Sequence, residues 1–135
     1  MKNFIVMILL ILGGSTQAQE SPLSVMDFVK FRDGKKAETM FFYENNWKIY
    51  REAALKKGFI KSYQILAPKS GSVDFDLILI TVYADSLQRS LSEERFQKII
   101  KELRPNGPKL MNAHKPADFR IQVFNTTAEH LIQAQ

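Results

Sequence analysis

The sequence predicts an α+β domain whose strands and helices follow one another in the order β-α-β-β-α-β. Four short runs are rich in β-branched and aromatic residues, and two longer segments space their apolar residues as helices do. Gly, Pro and Asp-Gly pairs separate these segments. The prediction applies to residues 25–135 of the 135-residue chain, which are long enough for one domain.

The four apolar runs are predicted to be β-strands. The first, residues 25–32, ends at an Asp-Gly pair, and the second, residues 59–68, alternates in side-chain character up to a proline. The third, residues 75–84, is apolar on both faces and precedes a predicted Asp-Ser turn. Such a run is typical of an interior strand covered on both sides. The last strand, residues 119–125, is short and leads into a polar tail.

Two segments between these strands are predicted to be helices. Residues 36–57 contain no Gly or Pro, and Gly58 after a Lys-Lys pair is a helix stop signal. In the second helix, Ser90 and Glu93 have the spacing of a capping box, and Pro105 closes the segment. Its apolar residues recur on one stripe: Phe96, Ile99, Ile100 and Leu103.

This order of elements is the ferredoxin-like arrangement, in which one antiparallel four-stranded sheet carries two helices on one face. The other face of such a sheet stays open. Apolar residues on that face would need a cover, and the sheet of a second subunit is the usual one. We therefore expect a homodimer that forms through the open sheet face.

The N-terminus is predicted to be an export signal. Lys2 precedes the apolar run of residues 4–12, and small residues lead to Ala18. The run is about half the ~20 residues that a membrane-spanning helix needs. We expect residues 1–18 to be cleaved, residues 19–24 to be a linker, and the mature protein to be periplasmic or secreted without a membrane anchor.

The composition of the chain argues against several classes of function. The chain has 19 Lys and Arg against 14 Asp and Glu, but these charges are interspersed, so nucleic acid is not an expected partner. It has no cysteine, and its two histidines, His114 and His130, lack metal-ligand spacing. We therefore expect no metal and no cofactor. The Asn-Thr-Thr sequence at Asn125 is a glycosylation site only in a host with the eukaryotic pathway.

The aromatic first helix raises the central question of function. Tyr43, Trp47 and Tyr50 share one side of a regular helical wheel, and Arg51 lies beside them. These residues can simply cover the sheet as part of the core. They can equally form the wall of a ligand pocket, because buried Tyr and Trp side chains usually have a polar partner. A second apolar stripe lies nearly opposite: Phe42, Ile49 and Ala53.

With this element order, the aromatic first helix and the segment DFDLILITVYAD (residues 74–85), the chain resembles the dimeric α+β barrel superfamily. Its members include antibiotic-biosynthesis-monooxygenase-like, EthD-like and NIPSNAP-like domains. The resemblance covers most of residues 25–125 and implies two ferredoxin-like subunits with their sheets face to face. It also implies a small-molecule pocket between each sheet and its helices. Activities vary widely among these proteins, so the fold does not define the reaction.

Three functions follow as hypotheses. The first is a small-molecule-binding domain in which Tyr43, Trp47, Tyr50 and Arg51 line the pocket for a hydrophobic or aromatic ligand. The second is a cofactor-independent oxygenase for an aromatic substrate, with Asn45, Asn46 and His114 as catalytic candidates. It requires an asparagine and His114 to face one cavity. The third is a protein-interaction module without a ligand, which docks through the second apolar stripe.

Overall fold

The computed structural model describes residues 20–71 and 73–134. The predicted signal peptide, residues 1–18, lies outside the described residues. The strands form one antiparallel four-stranded sheet in the order β2-β3-β1-β4, with helices packed on one face. This arrangement confirms the predicted α+β class and is consistent with a ferredoxin-like fold.

The elements alternate along the chain as the sequence predicts. The strands are β1 (Leu23–Phe31), β2 (Ser62–Leu66), β3 (Leu77–Tyr83) and β4 (Arg120–Glu129). The helices are α1 (Lys36–Phe42), α2 (Lys48–Lys56), α3 (Ser86–Ser90), α4 (Ser92–Leu103) and α5 (Pro116–Phe119). A π-helical turn, Tyr43–Trp47, joins α1 to α2, and these three segments together are called the first helix. No helix in the described part of the chain is long and apolar enough to cross a membrane.

The two faces of the sheet differ in burial. Val29, Leu77 and Leu79 lie under the helices and are at most 3% exposed. On the opposite face, called the open face, the alternate residues of the same strands are half-buried or exposed except for Ser24, which is buried. Its apolar residues are Met26, Phe28, Leu66, Ile78, Ile80, Val82, Ile121 and Phe124.

The core under the helices consists of two clusters. The first joins the π-helical turn to the sheet: Val29, Tyr43, Trp47, Leu77 and Leu79. The second joins α2 and α4 to the end of β3: Tyr50, Ala54, Ile60, Tyr83 and Ile99. Since both clusters include residues of the first helix, this helix determines how the layers pack.

Several predicted boundaries are wrong because strand pairing extends beyond the sequence signals. β1 begins at Leu23, inside the predicted linker, and β4 continues to Glu129, inside the predicted tail. The two residues pair with each other at the end of the β1–β4 ladder.

The third strand, predicted to be covered on both faces, has a buried face and a half-buried open face.

The predicted capping box is also wrong. The residues after β3, predicted as a turn, form α3, and the N-cap residue Asp85 accepts a hydrogen bond from the backbone N–H of Gln88 at 2.7 Å. Ser90 therefore ends α3, and its hydroxyl donates to the carbonyl of Leu87 at 2.8 Å. It is not available to cap α4, whose N-cap has no side-chain hydrogen bond.

Replacing Asp85 by Ala is expected to lower the free energy of unfolding by about 1 kcal/mol, because the cap of α3 is lost. The change is measured by urea denaturation. Asp74→Ala is the control, since Asp74 is an exposed carboxylate in a loop, and it is expected to change stability by less than about 0.5 kcal/mol. Equal losses in the two variants would contradict the capping role.

Candidate functional site

The first helix contains a π-helical turn where the sequence predicts a regular α-helix. The backbone N–H of Lys48 donates to the carbonyl of Tyr43, five residues earlier. Turns of this type are rare in proteins as a whole, and those that do occur are often found at functional sites. The extra residue changes the angular positions that a regular helical wheel assigns. As a result, Phe42 and Ala53, predicted on the opposite stripe, also pack against the core.

Two asparagines stabilise this turn. The side-chain amide of Asn45 donates to the carbonyl of Phe41, and that of Asn46 donates to the carbonyl of Phe42, each at 2.9 Å. These carbonyls, four residues earlier, are the acceptors that the backbone N–H groups of the asparagines would use in an α-helix. The side chains thus add hydrogen bonds to carbonyls at the start of the π-helical turn.

Asn46 also attaches the turn to the loop after α4. Its amide donates to the carbonyl of Lys109 at 2.8 Å, and its Oδ1 accepts from the backbone N–H of Lys109 at 2.7 Å. Arg104 Nε donates to the same oxygen at 3.3 Å. Asn46 is 1% exposed, and both of its N–H donors are engaged. Its side chain is therefore a structural clamp.

A cavity of about 290 Å³ lies between the first helix and the sheet. Five residues named from the sequence line it: Tyr43, Asn46, Trp47, Tyr50 and Arg51. The other lining residues come from the strands, α1 and α4: Asp27, Phe42, Leu79, Ile100, Arg120 and Gln122. The arrangement is an aromatic wall facing charged groups on the sheet, and we call it the helix–sheet cavity.

Arg51 lies in this wall between two aromatic rings. Its guanidinium carbon is 4.4 Å from the centre of the Trp47 ring and 4.3 Å from that of Phe96. Its Nε donates to the Thr81 hydroxyl at 3.2 Å. Burial lowers the pKa of Arg51 to about 10, so the side chain still carries its charge at neutral pH. Both faces of the guanidinium are thereby fixed by stacking.

The sheet contributes a carboxylate that the sequence analysis missed. Asp27 lies on the helix-facing side of β1 and is half-buried. Burial raises its pKa, and the nearby charges of Arg51, Arg89 and Arg120 oppose that shift only in part. The available signal was the position of Asp27 in β1, since an acidic residue there breaks the apolar register of the inward face.

Two residues that line the cavity each have a buried hydrogen-bond donor that is unsatisfied. Within residues 20–71 and 73–134, neither the Tyr43 hydroxyl nor Arg120 Nε has a hydrogen-bond partner. Burial raises the pKa of Tyr43 to about 12, so its hydroxyl is protonated at neutral pH. Buried polar groups in native proteins are nearly always paired. These two donors therefore mark a place where the folded chain leaves polar groups without partners.

The remaining catalytic candidates lie elsewhere. His114 is exposed, and its Nε2 lies 3.2 Å from Lys35 Nζ near the start of α1. Asn45 is not among the residues that line the cavity. His130 lies 2.6 Å from the Ser24 hydroxyl. Among the described residues, no group of three or more His, Cys, Asp or Glu could hold a metal ion.

Three larger clefts open elsewhere on the surface. One, of about 630 Å³, lies between the residues before β1 and those after β4. A second, of about 460 Å³, lies beside Ala67 and the residues before β3. A third, of about 550 Å³, lies along α4. None of the three is lined by a residue predicted for the site. The smaller helix–sheet cavity combines aromatic walls, buried charges and unpaired donors, so it is the candidate site.

Comparisons of this chain with protein-family models, with curated proteins and with solved structures gave no match. The fold and the cavity are therefore the observations on which a function can be argued.

Replacing Asn46 by Ala is expected to lower the free energy of unfolding by about 2–3 kcal/mol, because this buried side chain makes four hydrogen bonds, two of them to the Lys109 backbone. Chemical denaturation followed by circular dichroism measures the change. Asn45→Ala is the matched control, since it removes one side-chain hydrogen bond at the neighbouring position, and a loss of about 1 kcal/mol is expected. A smaller loss for Asn46→Ala than for Asn45→Ala would contradict the clamp.

Replacing Asp27 by Asn is expected to stabilise the protein at pH 7. Because the folded pKa of Asp27 is raised above the ordinary value of 3.8, the folded state binds this proton more tightly than the unfolded chain. The contribution of Asp27 to the stability of the fold therefore falls as the pH rises from below 3.8 through the folded pKa. The gain in Tm at pH 7 should shrink at pH 3.

Thermal unfolding at both pH values checks this result. Asp33→Asn, at an exposed position just after β1, is the control and should leave Tm nearly unchanged at either pH. A loss of Tm for Asp27→Asn at pH 7 would mean that the ionised carboxylate stabilises the fold.

Proposed function

We propose that this protein binds a small hydrophobic or aromatic molecule in the helix–sheet cavity. The observation that carries the proposal is the convergence of Tyr43, Trp47 and Tyr50 on one cavity of about 290 Å³. Ligand sites are usually concave, mostly apolar and equipped with a few polar groups that orient the ligand. The cavity has this composition.

The physical state of the lining supports binding over simple core packing. The aromatic residues are at most 8% exposed, yet they border empty space instead of filling it. The cavity opens to the surface on one side, so a small molecule has a path to these rings, as in most ligand sites. The π-helical turn and the Asn46 clamp fix these walls in place.

A cofactor-independent oxygenase receives less support. That hypothesis requires Asn45 or Asn46 to polarise a substrate carbonyl and His114 to move a proton in the same cavity. Both N–H groups of Asn46 already bind backbone carbonyls, and His114 does not line the cavity. An interaction module that docks through the stripe of Phe42, Ile49 and Ala53 is similarly weakened, since Phe42 and Ala53 pack against the core.

We further propose that the protein is exported and that two copies pair through their open sheet faces. The apolar residues of this face are contiguous, and the aromatic ring of Phe28 stacks on that of Phe124 at 4.2 Å while Phe124 remains 51% exposed. A second copy supplies a face of the same shape and chemistry, as a two-fold interface requires. Two sheets that pack face to face bury such side chains between them.

A hydrophobic ligand is expected to change the fluorescence of Trp47, the single tryptophan of the chain. Titration with aromatic compounds measures this change. Ile100→Phe should weaken binding at least about tenfold, because Ile100 borders the cavity and a larger side chain occupies ligand space. Lys101→Phe, at the adjacent exposed position of α4, is the control. Equal effects of the two variants would contradict binding in the cavity.

Pairing through the open face predicts a dimer in sedimentation equilibrium and native mass spectrometry. Phe124→Glu should yield a folded monomer, because it places a charge within the apolar surface that the second copy would cover. Leu87→Glu is the control, since Leu87 is 65% exposed on α3, away from the open face. A wild-type monomer at about 100 µM protein would overturn the pairing.

A further inference from the structure

We propose that the ligand of the helix–sheet cavity is an organic acid, whose carboxylate is bound by the Tyr43 hydroxyl and the Arg120 guanidinium. Its apolar part lies against Trp47 and Tyr50. This inference rests on the proposed function, because it names the class of molecule that the same cavity takes.

The first argument is the pair of buried donors. Tyr43 is 2% exposed, and its hydroxyl and Arg120 Nε find no hydrogen-bond partner in the described part of the chain. Both residues line the helix–sheet cavity. Since each has a hydrogen to donate, the group that satisfies both is an acceptor. A carboxylate offers two oxygens and accepts from several donors at once.

The second argument is the position of Arg120. Its guanidinium carbon lies 5.3 Å from the centre of the Phe42 ring and 5.8 Å from that of Tyr43. The positive charge therefore lies over aromatic rings that line the cavity. A planar guanidinium matches the geometry of a carboxylate, and such charge-assisted hydrogen bonds are among the strongest in proteins.

The third argument is charge. Arg51 and Arg120 line the cavity with one carboxylate, Asp27, which leaves one positive charge in excess. No Lys or Arg nitrogen of the described residues lies within 4.0 Å of the Asp27 carboxylate, so neither arginine is held in a direct ion pair with it. A monoanionic ligand neutralises the excess, whereas a neutral ligand leaves it in a poorly solvated site.

The size of the cavity limits the acid. A volume of about 290 Å³ suits a ligand with one or two rings, at the lower end of the range for small-molecule pockets. The apolar surface that contacts the ring or rings of the ligand comes from Trp47, Tyr50 and Ile100. Inorganic phosphate carries the charge but leaves these walls uncovered, so the proposal is an acid with an apolar body.

The test compares phenylacetate with phenylacetamide, which has the same ring and a neutral amide in place of the carboxylate. Each compound is titrated into the full-length protein, and binding is followed by two-dimensional amide NMR. We expect phenylacetate to shift resonances of residues that line the cavity and to bind at least about tenfold more tightly than the amide. Inorganic phosphate at the same concentration should leave these resonances in place.

Tyr43→Phe isolates the hydroxyl. Because this group has no partner among residues 20–71 and 73–134, its removal should keep the fold and Tm while weakening phenylacetate binding about fivefold to tenfold. Tyr63→Phe is the matched control: its hydroxyl binds Glu52 at 3.4 Å outside the cavity. Arg120→Gln is the second variant, and it should weaken the acid while leaving the amide unchanged.

The outcomes separate this inference from the proposed function. If the acid and the amide bind equally and Tyr43→Phe has no effect, the cavity binds aromatic molecules but the organic-acid proposal falls. If phosphate binds as tightly as phenylacetate, the site recognises anions without an apolar body, and the proposal also falls. If neither aromatic compound shifts the cavity resonances, the proposed function is contradicted along with it.

Discussion

The architecture of the site depends on one constraint, the clamping of the π-helical turn by Asn46. A π-helical turn interrupts the regular hydrogen-bond pattern of an α-helix. Asn46 donates to the Phe42 carbonyl at the start of this turn and also binds both backbone groups of Lys109. The turn and the loop after α4 therefore hold one another in position, and Tyr43 and Trp47 project from the turn onto the sheet.

The consequence of this geometry is a polar, incompletely packed layer within an otherwise ordinary core. Asp27 and Arg120 enter from the sheet, and Arg51 enters from the first helix between two aromatic rings. Apolar residues at these positions would pack more simply and would avoid the desolvation of charges. Perturbed ionisable groups beside a cavity are characteristic of functional sites, where stability is often lower than the fold could reach. The cavity fits this pattern.

The sequence predicts much of this fold because its local signals agree with one another. Alternating apolar residues define the strands, and Gly58 ends the first helix where the structure also changes direction. The boundaries at Leu23 and Glu129 could not be read locally, since these residues are strand only because they pair across the β1–β4 ladder. Likewise, Ser90 matched a capping box, but Asp85 starts a helix one turn earlier.

The candidate site was predictable only in its helical half. The aromatic residues and Arg51 stand out in the sequence, and they do line one cavity. Asp27 and Arg120 belong to strands whose partners and facing helix are known only from the tertiary structure. The π-helical turn could not be predicted from the sequence either, because the helical wheel assumes 3.6 residues per turn throughout. That periodicity also does not reveal that the side chains of two adjacent asparagines bind carbonyls four residues earlier.

The central claim is that the helix–sheet cavity exists to hold a ligand acceptor against Tyr43 and Arg120. A high-resolution crystal structure of the protein, purified gently from its own host without refolding, tests this claim directly. The account predicts density for a small molecule in the cavity, with an oxygen about 2.6–3.0 Å from the Tyr43 hydroxyl. A cavity closed by protein side chains, with that hydroxyl bonded to a protein acceptor, would contradict it.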